Sequence, residues 1–159
     1  MSRLSSYVRL AVAAAVCAAP AAAEVVLPGP VPAAVDEVVD GDTLRVRARI
    51  WPGHEVATLV RLEGIDAPER RARCAEERAA AAAARARLAE LVADGEVVLL
   101  EVRDDKFGGR VRARVLASDG TDVGATLVAA RLARPYDGRT RASWCAEAAV
   151  TPPPAPAGG

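Results

Sequence analysis

The chain is poor in histidine and in aromatic side chains. Its 159 residues include one His, one Phe, two Tyr, two Trp and one Met. A lone His54, set in a Trp-Pro-Gly-His loop, is too few for a His-rich zinc site, and a His-centred catalytic pair would rest on that loop residue alone. With aromatics at 3%, the core must be built from Val, Leu, Ile and Ala, and the 52% hydrophobic fraction overstates it because so much is alanine. Neither charge sign is in surplus: 21 basic residues face 21 acidic ones. No global field marks a nucleic-acid binder, so any basic footprint has to be local. No internal repeat is present, and the length suits one domain with one core.

The longest uninterrupted apolar run, Leu10 to Ala19, is too short to span a bilayer comfortably. Arg3 and Arg9 precede it and Ala21-Ala22-Ala23 follows, the pattern of a secretory signal peptide over residues 1–23, cleaved after Ala23. The competing reading is an amphipathic or anchoring helix. Val16 before Cys17 is too large for the usual lipobox. Cleavage removes two arginines and leaves 19 basic against 21 acidic residues, a charge of −2. It also removes Cys17 and leaves Cys74 and Cys145, an even pair that export favours as a disulfide; two free buried thiols are the alternative.

Glu24 to Pro32 carries three prolines and a glycine and reads as an extended linker, placing the linker at 24–34 and the domain at 35–145. Ala33 to Val39 is a first strand, broken by the turn residues Asp40-Gly41-Asp42. Leu44, Val46, Ala48 and Ile50 then alternate with Arg45, Arg47 and Arg49, a half-buried strand with a solvated arginine face. Val56 to Ile65 returns. Pro68 keeps Ala67 out of a helix, and an Ala, Arg and Glu-rich helix runs from about Cys74 to Ala93, closed by Asp94-Gly95. Strands follow at Glu96 to Val102 and Arg110 to Ala117. Asp122 caps a helix over Val123 to Ala133. From Arg134 the pattern fades, and residues 146–159 read as a disordered Pro, Ala and Gly tail. Three strands, a helix, two strands and a helix match a small OB barrel; an open five-stranded α+β sheet is the alternative.

The stretch from Val38 to Glu69 concentrates the chemistry. Asp40 and Asp42 flank Gly41, Asp66 and Glu69 flank Pro68, and Arg61 stands five residues before Asp66. Brought together at strand ends, such a set suits a hard cation and a phosphate. Carboxylate oxygens hold the cation, guanidinium groups match phosphate oxygens, and a carboxylate accepts a proton from water. Each residue also has a plainer role, in a turn, on a strand surface or at a helix start.

The runs VVDGDTL at Val38 to Leu44, VRLEGIDAPE at Val60 to Glu69, DKFGGRVRARV at Asp105 to Val115 and DVGATLVAARLARPY at Asp122 to Tyr136 resemble the staphylococcal-nuclease-like (thermonuclease) family. The resemblance covers roughly Val35 to Tyr136. It implies an α+β, mainly β chain: a five-stranded OB-fold barrel with two helices, acting as a calcium-dependent phosphodiesterase. It places Ca2+ on Asp42, Asp66 and the carbonyl of Ala67, with Asp40 as an acidic neighbour. It assigns Glu69 to the attacking water and Arg61 and Arg110 to the phosphate, although Gly108 and Gly109 both intervene before Arg110 where the family pattern has one glycine. Phe107 and Tyr136 are candidates for stacking a base. The family's long third helix has no counterpart, since Trp144 to Val150 is short. The resulting expectation is an exported (periplasmic or extracellular), monomeric nuclease acting on single-stranded DNA and RNA with little sequence preference, off the membrane once cleaved. The alternatives are a catalytically silent OB module that binds single-stranded nucleic acid and a structural domain with an idle acidic site.

Overall fold

A computed structural model describes residues 24–145; the expected signal peptide and tail lie outside them. The strands are β1 (Val26–Leu27), β2 (Val31–Asp40), β3 (Thr43–Trp51), β4 (His54–Leu62), β5 (Ile65–Asp66), β6 (Glu96–Asp104), β7 (Arg110–Ala117) and β8 (Arg134–Pro135), with helices α1 (Ala75–Leu91) and α2 (Val123–Ala129). Strands β6, β2, β3, β4 and β7 pair in that order, and β7 pairs back with β6, so the barrel closes. Closure uses one parallel pairing, β4 with β7, in the register Leu59↔Arg110 to Leu62↔Ala113. The alternation on β3 sets which side faces in: Leu44, Val46 and Ala48 are buried while Arg45, Arg47 and Arg49 point outward.

The interior is aliphatic, as the shortage of aromatics requires. Leu44, Leu62, Leu88, Leu99, Leu127, Val46, Val60, Val115 and Val123 are its largest fully buried side chains. Helix α1 seats on the barrel through Ala81, Ala84 and Leu88. Small residues there permit close approach: a Cβ on Gly41 would stand 2.8 Å from Ala84 Cβ and 3.1 Å from Ala67 Cβ. This contact presses the Asp40–Asp42 turn against α1 and against the loop after β5. Asp122 caps α2, accepting a hydrogen bond from Ala125 N–H at 2.9 Å.

The structure corrects the sequence reading in four places. Residues 24–34 are not a free linker: β1 and the start of β2 both pair antiparallel with β6, and Val31 and Ala33 are buried. Pro28 and Pro30 fall in the break between β1 and β2, where no ladder donor is needed, and Pro32 stands on β2 just before its pairing with β3 begins at Ala33. The third strand ends at Leu62, where Gly64 turns the chain at φ 76° before β5. The second helix stops at Ala129, and Arg131 adopts φ 59°. Beyond it the chain does not fade into coil but pairs β8 with β5 through Ile65↔Pro135 and Asp66↔Arg134.

Candidate functional site

The β3–β4 register places Thr43 opposite Arg61, which brings the Asp40–Asp42 turn to the end of β4. The carbonyl of Asp42 accepts from Leu62 N–H at 2.9 Å, locking that corner. The Asp42 carboxylate is buried. Its Oδ1 accepts the Thr43 hydroxyl at 2.8 Å, and its Oδ2 lies 2.7 Å from an Arg61 terminal nitrogen and 3.4 Å from Ala67 N–H. Arg61 reaches across, its other terminal nitrogen 3.6 Å from Asp66 Oδ1 and 3.4 Å from the carbonyl of Ile65. One guanidinium therefore bridges two buried carboxylates contributed by different strand ends.

Asp66, on the short β5, is 3% exposed. Its Oδ2 accepts from Trp144 Nε1–H at 3.1 Å. Its Oδ1 lies 2.5 Å from Arg141 Nε, yet no N–H is aligned on it, so this buried oxygen lacks a hydrogen bond. The same Arg141 donates to the carbonyl of Ala67 at 3.0 Å and pairs with Glu69. Burial pulls the Arg141 pKa down, but the paired Asp66 and Glu69 carboxylates more than offset it and raise it above the ordinary value. Asp40 sits outside this knot. Burial raises its carboxyl against the opposing hydrogen bond from Gly41 N–H, with the Asp42 charge adding to the rise, and Arg70 stands 3.8 Å away.

A cleft of about 610 Å³ opens beside these groups, lined by Arg61, Glu69, Phe107, Arg110, Tyr136 and Arg141 among others. Gly109, at φ 76°, turns the chain into β7, and Arg110 at the strand start shares with Asp42, Arg61, Ala67 and Glu69 a smaller adjoining cavity. Its Nε lies 2.5 Å from Asp105 Oδ2, and its guanidinium packs 4.7 Å from the centre of the Phe107 ring. Burial would raise the Asp105 carboxyl, but the hydrogen bond and charge of Arg110 hold it below the usual carboxylate range. Phe107 is exposed, and Tyr136 is half-buried with its hydroxyl donating to the carbonyl of Arg139 at 2.6 Å. The structure thus gathers Asp42, Asp66, Ala67, Glu69, Arg61 and Arg110 at one end of the barrel. His54 lies at the far end of β4, seven residues from Arg61 and about 23 Å away at the rise of a strand.

Cys74, the N-cap of α1, is bridged to Cys145 with a Cα–Cα distance of 5.9 Å. Glu77 lies near both sulfurs, but sulfurs bonded to each other are not thiolates, so this trio is no metal site. The bridge explains the two site residues that sequence reading missed, Arg141 and Trp144. Tying Cys145 to the start of α1 returns the preceding segment to the loop that carries Ala67 and Glu69. A bridge between Cys74 and Cys145 was the available signal, since Arg141 stands four residues before one cysteine and Glu69 five before the other.

The donor set suits a hard divalent cation. Two buried carboxylates and a backbone carbonyl offer oxygens, one of them a buried Asp66 oxygen without a hydrogen bond, and the nearest groups in place are guanidinium cations. A comparison with curated proteins returns no match. The family model described as staphylococcal nuclease homologue matches residues 59–148, taking in Arg61, Asp66, Ala67, Glu69 and Arg110; the Asp40–Asp42 turn precedes that span and joins the site through the β3–β4 hairpin. With more than half its length matched and a closed five-stranded barrel carrying two helices, the chain belongs to the staphylococcal nuclease homologue family and has a nuclease-like fold.

Proposed function

We propose that this protein is an exported, calcium-dependent phosphodiesterase that hydrolyses single-stranded DNA and RNA with little sequence preference. The observation that carries the reading is the meeting, at one end of the barrel beside the cleft, of buried carboxylates with guanidinium groups and a half-exposed carboxylate, Glu69. Asp42, Asp66 and the Ala67 carbonyl would hold Ca2+. Bound there, the ion would neutralise phosphate charge and position water. Arg61 and Arg110 bind the non-bridging phosphate oxygens and favour the more highly charged transition state. The Glu69 carboxylate takes the proton of the water whose oxygen forms the new bond to phosphorus, as one ester P–O bond breaks. Phe107 and Tyr136 flank the cleft and offer ring faces to unpaired bases, which favours single strands. The Cys74–Cys145 bridge supports an oxidising destination, periplasmic or extracellular.

Hydrolysis of single-stranded DNA with and without calcium tests the activity, and Glu69→Gln tests the mechanism. Turnover in the variant is expected to fall about 10²–10⁴-fold while nucleotide affinity holds, as for a group acting in the chemical step. Calcium-independent binding of single strands with no cleavage would favour the silent OB module. The pairing of Glu69 with Arg141 is the observation on that side, since it engages the carboxylate assigned to the water.

A further inference from the structure

Arg141 touches the atoms that the metal reading requires. Its Nε lies 2.5 Å from Asp66 Oδ1, one terminal nitrogen donates to the Ala67 carbonyl at 3.0 Å, and the other pairs with Glu69. Two of these three oxygen groups are proposed metal ligands, and the third is the proposed water-activating carboxylate. A guanidinium and a divalent cation cannot share the Asp66 and Ala67 oxygens at contact distance: both are cationic and would occupy the same space beside Asp66, and at the Ala67 carbonyl both need the same lone pairs.

The segment that carries Arg141 is fixed at both ends and open between them. On one side β8 pairs with β5, and Tyr136 N–H donates to the Gly64 carbonyl at 2.9 Å. On the other, Trp144 donates to Asp66, Arg134 stacks 3.7 Å from the Trp144 ring, and Cys145 is bonded to Cys74. Residues Asp137 to Ser143 are exposed. The Arg141 side chain, 36% exposed, can therefore leave the carboxylates without releasing either anchor.

We infer that Arg141 is a tethered internal cation that competes with the divalent metal for Asp66 and the Ala67 carbonyl, so that metal binds only as Arg141 swings out into the substrate cleft it also lines. The inference rests on the metal reading given under Proposed function. An internal competitor reduces apparent affinity by the fraction of molecules in which it has let go. The docked arginine also neutralises the buried carboxylates when metal is scarce, and it sets a threshold of metal below which the site stays closed.

The test is calcium titration of the exported chain in a Trp51→Phe background, which leaves Trp144, hydrogen-bonded to Asp66, as the only tryptophan; calorimetry runs beside its emission. Arg141→Gln is expected to lower the calcium Kd about 10-fold. In thermal melts, saturating calcium should raise the Tm of Arg141→Gln more than that of the parent, because binding to the folded state alone stabilises it in proportion to affinity. Arg141→Lys keeps the charge without the planar fork and should fall between the two; it carries the test if Arg141→Gln does not fold. Equal or weaker calcium binding by the Gln and Lys variants, with the parent still binding through Asp66 as judged by loss in Asp66→Asn, overturns the competition and leaves the metal reading standing. Absence of saturable calcium binding in parent and variants alike, or binding unaffected by Asp66→Asn, overturns both.

Discussion

Arginine appears in two settings on this barrel, and they behave differently. On the outer face of β3, Arg45, Arg47 and Arg49 pair with Glu37, Asp36, Glu55 and Glu96, and every one of these arginine side chains is about half exposed. At the barrel's end, Arg61 has 18% of its side chain exposed and faces two carboxylates that are 7% and 5% exposed. The outer pairs are screened by water and each can be replaced by solvation. The inner ones have no such recourse: a buried carboxylate stripped of its cation keeps its desolvation cost. Geometry, not the number of ion pairs, separates a solvated face from a site. The outer face also shows how balanced charge is distributed locally: the conspicuous arginine stripe of β3 is neutralised residue by residue.

The sharpest way to break this contrast is Asp42→Ala. It leaves Arg61 facing Asp66 alone and empties the acceptor used by Thr43 and Ala67. Loss of activity together with about 3–5 kcal/mol of stability is expected, measured by cleavage assay and urea unfolding; an unchanged unfolding midpoint would place Asp42 with the outer carboxylates. Next in size, replacing Cys74 and Cys145 together by serine should cost about 2–4 kcal/mol, the usual range for a native bridge closing a long loop. A smaller effect concerns the rim of the cleft. The folded Asp105 carboxyl titrates below its unfolded counterpart, so its contact with Arg110 stabilises fully above the ordinary carboxylate range and is lost as pH falls through the depressed value. Asp105→Asn should therefore flatten the acid limb of the Tm-versus-pH curve and leave neutral pH less stable than the parent. The smallest effect belongs to the outer face: Arg47→Ala should leave Tm unchanged within error, and a clear drop would show that the two settings are not distinct.

The meeting of Asp42 with Arg61 was legible in sequence because both lie at one end of the β3–β4 hairpin. Alternation on β3 fixes the register, and the register sets Thr43 against Arg61. The start of the barrel was harder to see, since Pro28, Pro30 and Pro32 suggest a linker while the backbone around them still pairs along β6. The short β5–β8 pairing carries too few residues to leave a periodic trace. Arg141 and Trp144 escaped for another reason. Nothing local distinguishes them, and they reach Asp66 because the short β5–β8 pairing on one side and a covalent link far along the chain on the other return them there.

That link changes what counts as a neighbour. Glu69 and Arg141 are 72 positions apart in the sequence, yet through the Cys74–Cys145 bond the path between them runs over five residues on one side and four on the other. In the oxidised chain their meeting is a short-loop event with little closure entropy, available before the barrel exists; Asp42 and Arg61 must wait for β3 and β4 to pair. Reduction turns the first contact into a long-range one and leaves the second untouched. Whether the Glu69–Arg141 contact is local or long-range is thus written in the oxidation state of the chain rather than in its sequence alone.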